Sequence, residues 1–335
     1  MRKCIGRMAL ALAAAGFFAA GVLAAPKPKP IDPRKLELLL SWGIAHLDAQ
    51  RVYRNGKAGE GVVIAMVDTG VSGDRQKLFA RVSPFSTDLV AHREYGDSGA
   101  DHGRQTAGVL AGARDGSGTM GVAYDATLLE IRADLDGSCR EECFMTGQML
   151  AQGIDYAVEH GARVIGLPLA SSTPLPSVEA ALERAAGKGV LVVAAAGNDG
   201  ADEPVWPARY AAEARFRGAI IVAGASARDR KLASWSNKAG SAAANFLIAP
   251  GDQIYVDCDT EFCGVVSGTS YSVSYVAGAA ALLMGRYPHL DGIAAGRLLL
   301  EGAEMGRKPR PTSGRGNVDV NRAARLAERQ AEERS

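Results

Sequence analysis

Residues 61–70 read GVVIAMVDTG, an unbroken apolar run that ends in Asp68 and is turned by Thr69 and Gly70. A half-buried strand alternates apolar and polar residues, whereas a strand covered on both faces of a parallel sheet stays apolar throughout. The same pattern recurs at 126–133 (ATLLEIRA), 162–169 (ARVIGLPL), 189–197 (GVLVVAAAG) and 218–225 (GAIIVAGA). Between these runs, 146–160 and 177–188 have the length and spacing of amphipathic helices. Strands alternating with helices predict an α/β fold with a doubly wound, mostly parallel central sheet flanked by helices. No internal repeat interrupts the pattern.

The 335 residues are 47% hydrophobic and 22% charged, a globular composition that excludes disorder, collagen and coiled coil. Residues 1–24 read as a secretory signal peptide: Arg2, Lys3 and Arg7 precede an apolar run from Met8 to Leu23, and small residues lead up to Pro26. An uncleaved anchor is the competing reading, but the run is short and Ala-rich and ends like a cleavage site. Cutting after Ala24 leaves 311 residues, with 35 basic against 37 acidic, a net of −2 that gives no sign of nucleic-acid binding. No later segment is long enough to span a bilayer, and no membrane-embedding barrel follows, so an exported protein, periplasmic or extracellular, is expected. Residues 25–39 form a Pro/Lys linker, PKPKPIDP within it being stiff and extended. The folded domain is expected over 40–327, with a polar tail at 328–335.

Once Cys4 leaves with the signal peptide, four cysteines remain in two close pairs, Cys139 with Cys143 and Cys258 with Cys263. An even count in an oxidising compartment favours disulfides, and CxxxC and CxxxxC are not the CxxC spacing of a zinc knuckle. Pairing within each loop or across the two loops both fit the sequence.

Four residues carry chemistry at element ends. Asp68 stands at the carboxyl edge of a predicted strand, where open α/β sheets place working groups, although an Asp there also serves as a cap. His102 opens DHGRQTAGVLAG, whose small residues make a helix that packs closely on a sheet; a structural imidazole fits equally well. His46, His92, His160 and His289 lack that setting and read as surface or locally bonded residues. Ser270, in GTS ahead of a long Ala-rich helix, lies among unsatisfied N–H groups and the positive end of the dipole, which suits an attacking oxygen and an oxyanion as well as a plain N-cap. Asn198, in AAAGNDG, ends another strand, as an oxyanion donor or a turn residue.

Asp68, His102 and Ser270 follow one another in the order Asp, His, Ser. With that order the chain resembles the subtilisin-like serine peptidases (subtilases) over nearly its whole length after the linker. The resemblance starts at SWGIAHLDAQRV (41–52) and runs through VDTG, HGRQTAGVLAG, GVAYDATLLEIRA (121–133) and AAAGNDG. It continues through WPARY (206–210), VAGA (222–225), WSNKAG (235–240), APG (249–251) and GTS to GRGNVDVNRAA (314–324). It implies that 40–327 is a peptidase domain of subtilisin-like fold acting on polypeptide substrates. It also implies that Ser270 attacks the scissile carbonyl, that His102 takes and returns the proton, that Asp68 orients the imidazole, and that Asn198 binds the oxyanion. Leu169 and Ala170 match the substrate-binding strand.

Several positions depart from the family pattern. Arg104, Gln105 and Thr106 stand where Thr-His-Val is usual. Tyr271, Ser272, Val273, Ser274 and Tyr275 replace Met-Ala-Ala-Pro-His. Pro168, Leu169 and Ala170 replace Ser-Leu-Gly, and Pro168 has no N–H to offer an extended substrate. These changes bear on substrate binding more than on the catalytic groups.

The roughly 16 residues between the cut and the domain are too few for a folded pro-domain, so the protein either folds unaided, stiffened by its cysteine loops, or is helped by a separate chain that acts as a folding helper or inhibitor. The resemblance implies no required cofactor and no catalytic metal; structural calcium occurs in the family, but no acidic cluster here has a ligand spacing that assigns it. An exported serine endopeptidase is the leading expectation. A pseudo-peptidase that binds peptides without turnover and an esterase using the same acyl-enzyme chemistry are the alternatives.

Overall fold

The structure is a computed structural model describing residues 31–53, 58–71, 79–90, 93, 101–140, 143–216, 218–258 and 262–333. The signal peptide, the linker up to residue 30, His92 and residues 334–335 lie outside the described residues.

The apolar runs form strands β1 (Val63–Asp68), β3 (Thr127–Arg132), β4 (Val164–Leu167), β5 (Leu191–Ala195) and β6 (Ile220–Ser226). They are joined by two strands the sequence did not announce, the short β2 (Thr87–Asp88) and β7 (Phe246–Pro250). The seven make one sheet in the order β2-β3-β1-β4-β5-β6-β7, every pairing parallel. From β1 the chain goes to the edge at β2, returns inward to β3 beside β1, and then crosses to the other side of β1 to run outward through β4 to β7. Strand order therefore reverses at β1, and its carboxyl end is the switch point of the sheet.

Side chains of each strand divide between two cores. Ile64 and Met66 point to one face of the sheet, and Ala65 and Val67 to the other. Helices α3 (His102–Ala111), α6 (Thr269–Arg286), α7 (Gly292–Gly302) and α8 (Val320–Glu332) cover the first face, and α4 (Gly147–Glu159) and α5 (Pro176–Gly187) the second. Burial on both faces is the physical reason the strand sequences are apolar throughout. Helix α6 crosses beneath β4 to β7 and is buried from Thr269 to Met284 apart from Ser270, so its Ala-rich, mostly apolar sequence reflects a core helix. A two-stranded antiparallel ribbon, β8 (Ile254–Val256) and β9 (Gly264–Val266), leads into it.

One expectation needs correction. Residues 33–39, read as part of an extended linker, belong to helix α1 (Pro33–Leu40). Pro33 is tolerated because it stands at N1, and Asp32 caps the helix by accepting from the Arg34 N–H at 3.0 Å. Buried Glu37 docks it on the domain by accepting the N–H groups of Asp115 and Gly116 at 3.1 and 3.2 Å. The short helix α2 (Trp42–His46) follows. Its His46 is no surface residue: the ring packs edge-on against Trp42 at 5.5 Å, and Nε2 is buried. The cysteines pair within their loops, Cys139 with Cys143 and Cys258 with Cys263.

Candidate active site

Asp68 is the last residue of β1 and is 2% exposed. Gly70, at φ +80°, turns the chain immediately after it, and Gly103 lets α3 start against that turn: a Cβ on Gly103 would stand 2.6 Å from the Gly70 carbonyl oxygen. The Gly103 N–H is also held by Thr69 Oγ1 at 2.9 Å. These contacts deliver His102 to the carboxylate. His102 Nδ1 lies 2.8 and 3.0 Å from the two Asp68 oxygens, so with its proton on Nδ1 the ring presents a bare Nε2 on the other side.

The carboxylate is fixed from three directions. Besides His102, it accepts from the Thr69 N–H at 2.7 Å and from Thr106 Oγ1 at 2.8 Å. Thr106, one helical turn beyond His102, was missed as a site residue; its spacing of four residues on a helix was the signal, since both side chains then face β1. Burial alone would lower the His102 pKa, but the charge of Asp68 and its hydrogen bond outweigh it, leaving the pKa raised above the usual 6.5. The imidazole still keeps about 36% of its side-chain surface open.

Glu130, whose Cα is paired with that of Met66, was also missed. It occupies the same sheet face as Asp68, is fully buried, and neither carboxylate oxygen has a partner. Burial and the nearby charge of Asp68 push its carboxyl well above the ordinary range and keep it protonated. The only signal in the sequence was a lone acid inside an apolar strand.

The Ser270 side is built from the ends of β4 and β5 and the start of α6. Ser270 is the second residue of α6, half-buried, with its backbone N–H in the first turn. Its Oγ donates to the Pro168 carbonyl at 3.0 Å, and among the described residues it makes no hydrogen bond to His102. Exposed Asn198 lies just past β5. Its Oδ1 accepts from both the N–H and the hydroxyl of Thr269, at 3.0 and 2.9 Å. Thr269 Oγ1 in turn accepts the Gly197 N–H at 3.2 Å. With its oxygen so occupied by the residue before Ser270, Asn198 makes no hydrogen bond through Nδ2 among the described residues. Thr269 was missed as the residue that orients this amide, although it is the middle residue of the GTS motif itself.

Leu169 and Ala170 follow β4. Leu169 packs partly on the second core, Ala170 is exposed, and Ser171 then pairs with Trp206 through both backbone groups, at 2.8 and 3.0 Å. Among the described residues no group of three or more His, Cys, Asp or Glu side chains is placed to hold a metal ion. No helix among them is long and apolar enough to cross a membrane.

The model of the family described as "Subtilase family" matches residues 59–322. Thermitase from Thermoactinomyces vulgaris is 35% identical over 252 residues, covering 75% of this chain and 80% of thermitase. Subtilisin BL from Lederbergia lenta is 32% identical over 250 residues, covering 74% of this chain and 85% of the relative. Among solved structures, the protease domain of PatA superposes with a TM-score of 0.69 at 24% identity, over 83% of this chain and 99% of that domain. At that identity the superposition speaks for the fold.

Proposed function

The chain belongs to the subtilase family and is a subtilisin-like serine endopeptidase, and within that premise we propose that Asp68, His102 and Ser270 are its catalytic triad, Asn198 its oxyanion donor, and the exported space its place of work. The observation that carries this reading is the 2.8 Å contact between Asp68 and His102 at the sheet's switch point, with Ser270 on the first turn of the helix packed beside α3.

The chemistry follows from the geometry. Ser270 Oγ turns from the Pro168 carbonyl, gives its proton to His102 Nε2 and bonds to the scissile carbonyl carbon. Negative charge gathers on the former carbonyl oxygen, where the Ser270 N–H and Asn198 Nδ2 donate to it. The C–N bond breaks as His102 returns the proton to the leaving amine, and the acyl group stays on Ser270 until water, deprotonated by the same imidazole, releases it. Asp68 holds the imidazole tautomer and stabilises the imidazolium between the two transfers. In the hydrolytic step the imidazole passes the water's proton to Ser270 Oγ as the acyl bond breaks, so the triad ends as it began.

Substrates are polypeptides lying in extended form along Leu169 and Ala170, where Pro168 supplies a carbonyl but no N–H. Export is supported by the basic and apolar pattern of residues 1–24 and by the two disulfides, which suit an oxidising compartment.

The test is digestion of an unfolded protein substrate by the purified protein, with products identified by mass spectrometry. Internal cleavages that disappear in His102→Ala are expected. Peptide binding without cleavage would support the pseudo-peptidase, and cleavage of esters alone the esterase.

A further inference from the structure

The residues by which the chain departs from its family beside His102 and Ser270 meet in the folded protein. Tyr271 Oη donates to Gln105 Oε1 at 2.9 Å, and Gln105 Nε2 donates to Asp257 Oδ2 at 2.8 Å. The other Asp257 oxygen is paired with the Arg104 guanidinium, which also reaches Asp101 Oδ1 at 2.7 Å. One polar chain therefore runs from the residue before His102 to the residue after Ser270. Its midpoint, Asp257, follows β8 with φ +52° and immediately precedes the Cys258–Cys263 disulfide.

His102 and Ser270 stand on different helices, so their approach depends on how α3 sits against α6. The Tyr271–Gln105 hydrogen bond spans that gap three residues beyond His102 and one beyond Ser270. A glutamine suits the middle position, because its amide accepts from Tyr271 and donates to Asp257 at once. Tyr271 is 5% exposed and its ring lies 6.2 Å from the His102 ring; burial pushes its hydroxyl pKa up, so it remains a donor at every working pH.

We infer that Gln105 and Tyr271 are positioning residues: anchored by Asp257, the residue before the Cys258–Cys263 disulfide, they set the distance between the catalytic base and the nucleophile. The inference rests on the triad reading given above. It predicts that Gln105→Leu lowers kcat about tenfold and Tyr271→Phe about threefold on a chromogenic peptide, with KM within about twofold, because misplacing a base costs rate and not ground-state binding. The acid limb of the pH profile stays in place, since Asp68 and His102 are untouched. The double variant falls no further than Gln105→Leu alone, because both changes break one chain.

Unchanged kcat, losses that multiply, or a loss carried by KM would overturn the inference. A second readout needs no turnover: native-state amide exchange of residues 101–106 is expected to speed up severalfold in Gln105→Leu, and unchanged exchange would overturn the inference just as directly. Inactivity of the unaltered protein would instead count against the triad reading, while the exchange measurement still decides the clamp.

Discussion

The two halves of the site are built to different standards. The Asp68–His102 half is held by a strand end, a glycine-tight helix start and three donors on one carboxylate, all in the geometry that proton transfer needs. The Ser270–Asn198 half has its amide oriented by Thr269, yet its hydroxyl rests on the Pro168 carbonyl and not on His102. The difference follows from what each half meets. A carboxylate sealed behind an imidazole can be locked by burial, whereas a hydroxyl that is to attack a substrate must stay open to it, and Ser270 is only half-buried. The departures from the family pattern fall on both halves, Arg104, Gln105 and Thr106 beside His102 and residues 271–275 beside Ser270.

The largest expected effect lies on the open half. Ser270→Ala lowers kcat by about 10⁶, leaving the rate that oxyanion binding alone supplies; a loss under about 10³ in a burst-free peptide assay would mean another nucleophile. On the locked half, Asp68→Asn costs about 10⁴ in kcat through the wrong imidazole tautomer. It also moves the acid limb. With Asp68 present the His102 pKa is raised, so kcat/KM falls away as pH drops through a value above 6.5; without the carboxylate, that limb shifts to lower pH. A limb that stays in place in the variant would break the link between the two residues.

Next in size, Asn198→Ala lowers kcat by about 10²–10³ with KM little changed, the signature of a contact made to the oxyanion. Thr269→Val, which keeps the shape and loses the hydroxyl, is expected to cost about tenfold through the misaimed amide. Equal effects from both variants would show that Thr269 acts on more than Asn198.

The smallest effects concern stability beside the locked half. Glu130 has a raised pKa in the fold, so its protonated form contributes fully below pH 4.5 and that contribution is lost as pH rises. Glu130→Leu is therefore expected to raise the melting temperature, and by more at pH 8 than at pH 4, as seen by calorimetry. His46 has the opposite sign. Burial, with Arg230 nearby, lowers its pKa to about 4, so stability present above 6.5 is lost as pH falls from 6.5 towards 4. His46→Gln should flatten that slope.

Much of this was legible in the sequence. The strands buried on both faces announced themselves as unbroken apolar runs, while the four candidate residues stood out by their places at element ends, Asp68 and Asn198 after strands and His102 and Ser270 at helix starts. Strand β7 was missed although Phe246–Pro250 is apolar throughout: the run is short and closes on a proline, which is tolerated here because β7 is an edge strand. Helix α1 was hidden by its prolines, which mark an extended linker unless a cap and a docking carboxylate hold the first turn. The chain from Tyr271 to Asp257 was visible only as unexplained departures: its partners are 166 and 152 residues apart in sequence, and nothing local says that they touch.

Labelling of the purified protein with a fluorophosphonate probe tests the central claim most directly, because the probe needs an activated serine and an oxyanion hole but no particular substrate. The account predicts one adduct, mapped to Ser270, absent in Ser270→Ala and greatly slowed in Asp68→Asn. Folded protein that takes up no probe, or takes it up at another residue, would contradict it.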